Sequence, residues 1–220
     1  MIDASRRAPV WVRALAACIP HLPIGRYWAV HQLRHFVAPP FMMRLPERLG
    51  GFLYQCDQRD SVTREVCYTG WYEPQETQLA SRILAAGDVF VDVGANWGYF
   101  SLAAAHWVGP TGRVVAFEPE PRLYRMLTSN IAANGLRSIA ANQTAVAAGP
   151  GRLSFEAFHA DDGNWGRSRA ISPEAAPDFE CATVGLDAAL DGAGIGAVQL
   201  VKIDVEGGEL AVLAGMRAGR

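Results

Sequence analysis

The sequence predicts an α/β protein in which a parallel sheet forms a Rossmann-like domain, and three apolar segments support this. Residues 89–93 (VFVDV), 113–117 (RVVAF) and 198–204 (VQLVKID) are nearly continuous apolar runs. Such runs are typical of parallel strands that helices cover on both faces. Helical stretches separate the runs, and this alternation indicates βαβ units.

The predicted domain has four strands in the order 3-2-1-4. The third strand lies within residues 138–147, and 152–184 is less regular, with short strands at 153–155 and 182–184 around a polar loop at 161–166. The sequence ends soon after the fourth strand and its helix, which leaves that apolar strand at an edge of the sheet or under residues 1–50. The predicted helices are 98–108, 121–133 and 206–214.

Residues 1–71 are predicted to form an extension that precedes the main domain at 72–220. Its elements are two helices, at 9–19 and 25–37, and a hairpin at 51–69 with its turn near 57–61. A helix at 75–86 is expected to present Leu79, Ile83 and Leu84 on one face and to end at Gly87.

The first 50 residues are unusual in composition, with seven arginines, two acidic residues and many interleaved aromatic residues and methionines. One interpretation is contact with a membrane surface or a lipid substrate. The other, which is favoured, is a helical cap that packs on the core and exposes its arginines to water.

Composition excludes several classes of function. A net charge of -2 argues against a non-specific nucleic-acid binder. The four cysteines form no CxxC pair, which argues against a zinc site, although a Cys56–Cys67 bridge remains open. No further cluster of metal ligands is evident, so no metal site is predicted. With no apolar stretch of about 18 residues, no membrane span is expected, and a reduced cytoplasmic protein is predicted.

The segment Asp92-Val93-Gly94-Ala95-Asn96-Trp97-Gly98 is the main functional signal. Glycine at a strand end allows a tight turn and close approach of a ligand to the backbone. Free N–H groups where the next helix begins favour an anion, and Asp92 can meet a cationic amino group. The glycine spacing does not match G-x-G-x-x-G, which argues against an NAD-dependent oxidoreductase.

Carboxylates at two further strand ends are predicted to face the same crevice. Glu118 ends the second strand and is expected to reach a ribose diol, as acidic residues do at this position of Rossmann-like folds. Asp204 ends the fourth strand and Glu206 follows it, although glutamates at 206 and 209 also favour a helix N-terminus for electrostatic reasons alone.

These motifs resemble the FkbM-type methyltransferase family. The resemblance runs from about Tyr72 to Gly215 and rests on VFVDVGANWGYFS, FEPEP and above all VKIDVEGGELAVLAGM. It implies a class I methyltransferase fold that uses S-adenosylmethionine to methylate a hydroxyl of a small-molecule, glycan or lipid acceptor. Asp92, Gly94, Asn96, Gly98 and Glu118 would bind the cofactor.

The resemblance also implies that Asp204 and Glu206 face the methyl group or the acceptor. The residue that acts as general base stays open, with His106 and His159 as alternatives to these two carboxylates. The family's fold has seven strands, so the sequence is expected to be C-terminally incomplete. The alternative function is therefore an inactive fragment that retains a cofactor-binding half.

Overall fold

The computed structural model describes residues 6–157, 163, 165–166, 168–171 and 176–216. Within them, the chain forms eight α-helices, ten strands and several single 3-10 turns. In chain order these are α1 Val10–Cys18, α2 Arg26–Gln32, β1 Phe41–Arg44, β2 Leu53–Cys56, α3 Ser61–Thr69, α4 Pro74–Ile83, β3 Val89–Val93, α5 Tyr99–Val108, β4 Arg113–Phe117, α6 Pro121–Ala133, β5 Ile139–Asn142, β6 Ala145–Ala147, β7 Gly151–Glu156, β8 Arg169–Ile171, β9 Phe179–Gly185, α7 Leu186–Gly192, β10 Leu200–Ile203 and α8 Glu209–Ala214.

The central sheet has the predicted parallel topology. Its strands lie in the order β10-β3-β4-β5, which is the predicted order 3-2-1-4. The register places Asp92 beside Ala116 of β4 on one side and Lys202 of β10 on the other. Within the described residues β10 has one hydrogen-bonded neighbour, β3, and so lies at the edge of the sheet, as predicted.

Successive side chains along the strands of this sheet point to opposite faces and pack into two separate apolar cores. Phe90, Val114 and Ala116 pack against the buried residues of α5 and α6 on one face. Val91, Val115 and other residues of opposite parity pack against α7 and α8 on the other face. Burial on both faces explains why the strands read as continuous apolar runs rather than alternating ones.

The hairpin predicted for 51–69 is wrong. Only β2 is a strand, and it pairs antiparallel with β1 rather than with the residues that follow it. Asp60 stops the extended segment because its Oδ1 accepts the Thr63 N–H at 2.9 Å and caps α3. This capping bond favours helix for the apolar residues of 61–69. Cys56 and Cys67 are both free thiols.

The helix predicted at 75–86 is shorter in the structure and buries a different face from the one expected. It ends at Ile83, because Leu84 is extended and buried, and its buried residues are Thr77 and Ala80. Leu79 and Ile83 face solvent. At the N-terminus, α1 matches the helix predicted at 9–19, whereas α2 ends at Gln32 with a 3-10 turn after it and is shorter than the predicted 25–37. The two helices pack Val12 and Val30 into a third apolar cluster.

A second sheet occupies the region that the sequence left irregular. Its order is β6-β9-β7-β8, with β6 and β9 parallel and the other pairs antiparallel. The predicted short strands at 153–155 and 182–184 are parts of β7 and β9. The polar loop at 161–166 lies largely outside the described residues. No helix in the described part of the chain has the length and apolar character needed to cross a membrane.

Candidate cofactor and acceptor cleft

The residues between β3 and α5 form a tight loop, Gly94–Gly98, over the carboxyl end of the sheet. Gly94 has a φ of +83°, and a Cβ placed on it would lie 1.9 Å from the Asp204 carbonyl oxygen. Glycine is therefore required here because the β10 backbone approaches closely, in addition to any ligand that approaches from the cleft. At Gly98 a Cβ would instead meet Leu127 at 2.5 Å, so this glycine packs against α6 and does not line the cleft.

The N–H groups of this loop, which precede the first residue of α5, are all engaged within the protein. The N–H groups of Gly94 and Ala95 both donate to the Phe117 carbonyl at 2.9 Å. Asn96 donates its N–H to Glu118 Oε2 at 2.7 Å, and the next two N–H groups are also engaged within the loop. The loop is thus fixed by its own hydrogen bonds and presents no run of open donors to an anion.

Glu118 is held rigidly at the end of β4. Its Oε2 accepts the Asn96 N–H at 2.7 Å and its Oε1 accepts the Glu120 N–H at 2.9 Å. Burial raises the pKa of Glu118 to about 7 against these two hydrogen bonds, which lower it. Each carboxylate oxygen retains a further lone pair, so the group can accept hydrogen bonds from a ligand in the cleft.

Asp92 lies under the loop rather than in the cleft. It is buried, and its Oδ2 accepts the Ser101 hydroxyl at 2.6 Å at the start of α5. Burial raises the pKa of Asp92, while the positive charge of Lys202 and the bonds from Ser101 oppose that rise. Asp92 lines a small cavity that adjoins the cleft and shares Gly94, Asn96 and Asp204 with it.

Lys202, the single lysine of the sequence, lines the small cavity together with Asp92. Its Nζ lies 2.9 Å from Asp204 Oδ2, 3.7 Å from Glu73 Oε2 and 4.7 Å from the Phe100 ring centroid. Burial disfavours its charge, but Asp92 and Asp204 outweigh burial and hold the pKa of Lys202 above its ordinary value. No role for this residue was predicted, although a single lysine at the end of an apolar strand is a signal that the sequence contains.

Asp204 and Glu206 both line the cleft that contains Glu118. Both are exposed; Asp204 pairs with Lys202, and Glu206 has a left-handed conformation with a φ of +51°. Glu209 lies one turn further on and accepts the Gly207 N–H at 3.1 Å. Glu209 therefore acts locally at the start of α8, as the electrostatic explanation of these glutamates predicts.

The remaining wall of the cleft comes from the second sheet. Val146, Leu153, Phe155 and Ala170 line it with apolar surface opposite the polar loop. Phe155 is supported from behind by Phe179, whose ring is parallel to it at a centroid distance of 5.0 Å. These residues were missed because the strands that carry them are short and mixed in polarity.

The N-terminal extension holds Trp165 in place near the cleft. The backbone N–H of Trp165 donates to Asp60 Oδ2 at 3.0 Å, and the Trp165 ring packs on Trp97 of the Gly94–Gly98 loop, with the two ring centroids 5.6 Å apart. Burial raises the pKa of Asp60 to about 6, against hydrogen bonds from Thr63 and Trp165. Gly166 and Ser168, just beyond this anchor, line the cleft.

Of the two histidines considered as bases, the one that the structure describes lies away from this cleft. His106 is exposed on α5 and is absent from the lining of the cleft. His159 lies outside the described residues.

Comparison with known proteins places this fold and these motifs in a family. The alignment with 31-O-demethyl-FK506 methyltransferase FkbM of Streptomyces tacrolimicus is 34% identical and covers 60% of this chain and 61% of that protein. Methyltransferase sdnD of Sordaria araneosa is 30% identical over 60% of this chain and 62% of its own length. The alignments thus span about three fifths of these curated relatives.

A crystal structure of methyltransferase FkbM from Methylobacillus flagellatus KT aligns with 93% of this chain and 46% of its own, at 15% identity and a TM-score of 0.42. A protein-family sequence model, described as Methyltransferase FkbM domain, matches residues 92–220, which are more than half of the sequence. The chain therefore belongs to the FkbM methyltransferase domain family.

Proposed function

We propose that this protein is an S-adenosylmethionine-dependent methyltransferase that methylates a hydroxyl group of a small-molecule, glycan or lipid acceptor. The observation that carries the proposal is the convergence of Glu118, Asn96 and Asp204 on one cleft at the carboxyl ends of three parallel strands. Ligands of open α/β sheets bind at this edge. Membership of a methyltransferase family supports the same conclusion.

The residues of the cleft fit such a cofactor. Glu118 is a buried carboxylate with unused lone pairs, which suits a ribose diol that donates two hydrogen bonds. The backbone of Gly94 and Asn96 lines the same cleft, and the apolar wall formed by Leu153 and Phe155 offers a surface for a planar base. When bound, S-adenosylmethionine supplies a methyl group on a positively charged sulfonium.

Asp92 and Gly98 are proposed to act by positioning the loop. Asp92 holds the start of α5 through Ser101, and Gly98 lets α5 pack closely on Leu127. Both contacts fix the height of Asn96 above the sheet, and with it the hydrogen bond to Glu118. The positive charge of Lys202 favours the ionised form of the buried Asp92 carboxyl and so opposes the effect of burial on its pKa.

Asp204 and Glu206 are proposed to receive the acceptor. Asp204 would accept the proton of the acceptor hydroxyl, and Lys202 would hold its carboxylate in place through the 2.9 Å contact. Alignment of the hydroxyl oxygen with the methyl group would supply much of the remaining rate. Transfer to oxygen is supported by the Streptomyces relative, whose name specifies a 31-O-demethyl substrate.

A methyl-transfer assay tests this function. The protein is incubated with S-adenosylmethionine labelled in its methyl group and with a panel of sugars, lipids and polyketides that carry free hydroxyls. We expect label in a product whose methyl group resists mild base, as an ether does and a methyl ester does not. Label found on nitrogen or on a carboxylate would contradict the proposed acceptor class.

A further inference from the structure

The N-terminal extension contains a long segment without negative charge. Residues 4–46 include six arginines and three histidines but no aspartate or glutamate. Since the whole chain carries a net charge of -2, the rest of the molecule is acidic on balance. Positive charge is therefore concentrated in the N-terminal part of the sequence.

The helices of this segment turn one face to the protein and the other to solvent. Val12 of α1 and Val30 of α2 are buried in a cluster that includes Cys67 and Tyr68 of α3. The favoured prediction of a helical cap is thus met by the structure. Packing on α3 accounts for the buried face only, and the outward face carries Trp11, Arg13 and Trp28.

Large apolar side chains are concentrated on this outward surface. Of the twelve exposed large hydrophobic residues in the described part of the chain, eight lie between Val10 and Val37. The connection between α1 and α2 forms an apolar tip, defined here as Leu22, Ile24, Tyr27 and Trp28. Ile24 is 89% exposed and Trp28 is 70% exposed. Exposure of such large apolar side chains to water is energetically unfavourable, and the stability of the fold does not require it.

Cations accompany the apolar tip. Arg26 lies 4.9 Å from the centroid of the Tyr27 ring and donates to the Tyr27 hydroxyl at 3.3 Å. Arg13 and Arg34 are exposed and form no ion pair with any described residue. The surface therefore combines protruding aromatic and aliphatic side chains with uncompensated positive charge.

We propose that the apolar tip docks this protein on an anionic lipid surface. Interfacial helices bind membranes by burying Trp and aliphatic side chains among the headgroups while Lys and Arg meet anionic lipids. Charge complementarity favours this partner over a second copy of the chain, because two acid-free surfaces would repel each other. The mode is peripheral, and it goes beyond the proposed methyl transfer without depending on it.

Vesicle co-sedimentation tests this inference without cofactor or acceptor. We expect binding to phosphatidylcholine vesicles with about 30% phosphatidylglycerol to exceed binding to pure phosphatidylcholine at least tenfold at about 0.1 M salt, and to weaken at about 0.5 M. The variant Ile24→Ser/Trp28→Ser should lose about tenfold or more on anionic vesicles. Arg13→Ser/Arg34→Ser should lose about 20-fold there and little on neutral vesicles.

The matched control is Leu79→Ser/Leu210→Ser, which removes two exposed apolar side chains elsewhere on the molecule. It should bind vesicles like the wild type, and all variants should keep the wild-type melting temperature. Equal binding of wild type and the tip variant, or no preference for anionic vesicles, would overturn the inference. So would sedimentation velocity showing a wild-type dimer that the tip variant dissociates, because the tip would then be an interface between copies.

Discussion

The cleft has two polar walls, one formed by the Gly94–Gly98 loop with Glu118 and the other by the residues that follow β10. They differ in how many of their polar groups form hydrogen bonds within the protein. On the loop wall, each N–H from Gly94 to Gly98 donates to a protein acceptor, and Glu118 is buried between two backbone donors. On the other polar wall, formed by the residues that follow β10, Asp204 and Glu206 are exposed. Asp204 is restrained by Lys202 alone among the described side chains.

This contrast supports different roles for the two polar walls in the proposed reaction. A wall whose hydrogen bonds are complete before a ligand binds loses little entropy on binding, which suits a cofactor of constant shape. An exposed carboxylate with one restraining partner can adapt to the acceptor and exchange a proton. The predictions below perturb one wall while using the other as a control.

The largest effect is expected for Asp204→Asn on the open wall. Because amide nitrogen and oxygen cannot take the acceptor proton, kcat should fall by about 10²- to 10⁴-fold, the usual contribution of a general base. The affinity for S-adenosylhomocysteine should change little. Steady-state kinetics with an acceptor identified by the labelling assay, together with calorimetry, measure the two quantities.

Glu206→Gln is the matched variant, since it neutralises a neighbouring carboxylate of the same wall. We expect a smaller loss of kcat, because Glu206 has no cation such as Lys202 to orient it in the described structure. A full loss in Glu206→Gln with normal turnover in Asp204→Asn would reverse the assignment of the base.

The next effect concerns the backbone of the fixed wall. Gly94→Ala should lower the free energy of unfolding by about 2–5 kcal/mol, because the new Cβ both enters a left-handed conformation and collides with the Asp204 backbone. Gly207→Ala is the control, since Gly207 has a φ of +99° but no atom within 4 Å of its Cβ position. Urea denaturation should show a clearly smaller loss for this control; equal losses would mean that the close approach to Asp204 is not rigid.

A smaller effect is expected for Glu118→Ala. Loss of hydrogen bonds from a charged group should weaken binding of S-adenosylhomocysteine by about 1–3 kcal/mol. Calorimetry on Glu118→Ala and Glu206→Ala compares one carboxylate from each wall. Weakening by Glu206→Ala alone would contradict the placement of the cofactor against the loop wall.

The smallest effect is a pH dependence of cofactor binding. The pKa of Glu118 is about 7 in the free protein, and a ribose diol donates to its ionised form, so protonation competes with the ligand. Affinity should fall about tenfold between about pH 8 and about pH 6, and Glu118→Gln should show a flat profile. An identical pH profile in wild type and Glu118→Gln would count against a contact with this carboxylate.

The same raised pKa has the opposite consequence for the free protein. When the pKa of a carboxyl group is higher in the folded protein than its ordinary value, protonation of that group stabilises the folded state. Without ligand, the contribution of Glu118 to the free energy of unfolding should therefore decrease as the pH rises from about 4.5 to about 7. Thermal unfolding with and without S-adenosylhomocysteine separates the two trends.

The central sheet could be predicted from sequence because local and tertiary signals agree there. Strands such as Val89–Val93 are buried on both faces, and their βαβ connections permit few topologies. The segment 61–69 could not be predicted in the same way. Its alternating polarity suits a strand, and only the capping bond of Asp60 and packing against α1 and α2 decide for helix.

The site shows the same limit. The motif spacing brought Glu118, Asp204 and Glu206 to one edge of the sheet, and the structure places all three in the cleft. Spacing carries no information on side-chain direction, so it did not reveal that Asp92 points under the loop to Ser101. The apolar wall at Phe155 depends on pairing between β7 and β9, which are far apart in the sequence.

Calorimetric titration with S-adenosylhomocysteine and with NAD tests most directly the claim that this cleft is a methyl-donor site. The fold alone is compatible with either nucleotide-containing ligand, whereas the Gly94–Gly98 loop lacks the glycine spacing of dinucleotide sites. We predict binding of S-adenosylhomocysteine to the wild type, weaker binding to Glu118→Ala, and no binding of NAD to either. Binding of NAD without binding of S-adenosylhomocysteine would contradict the account.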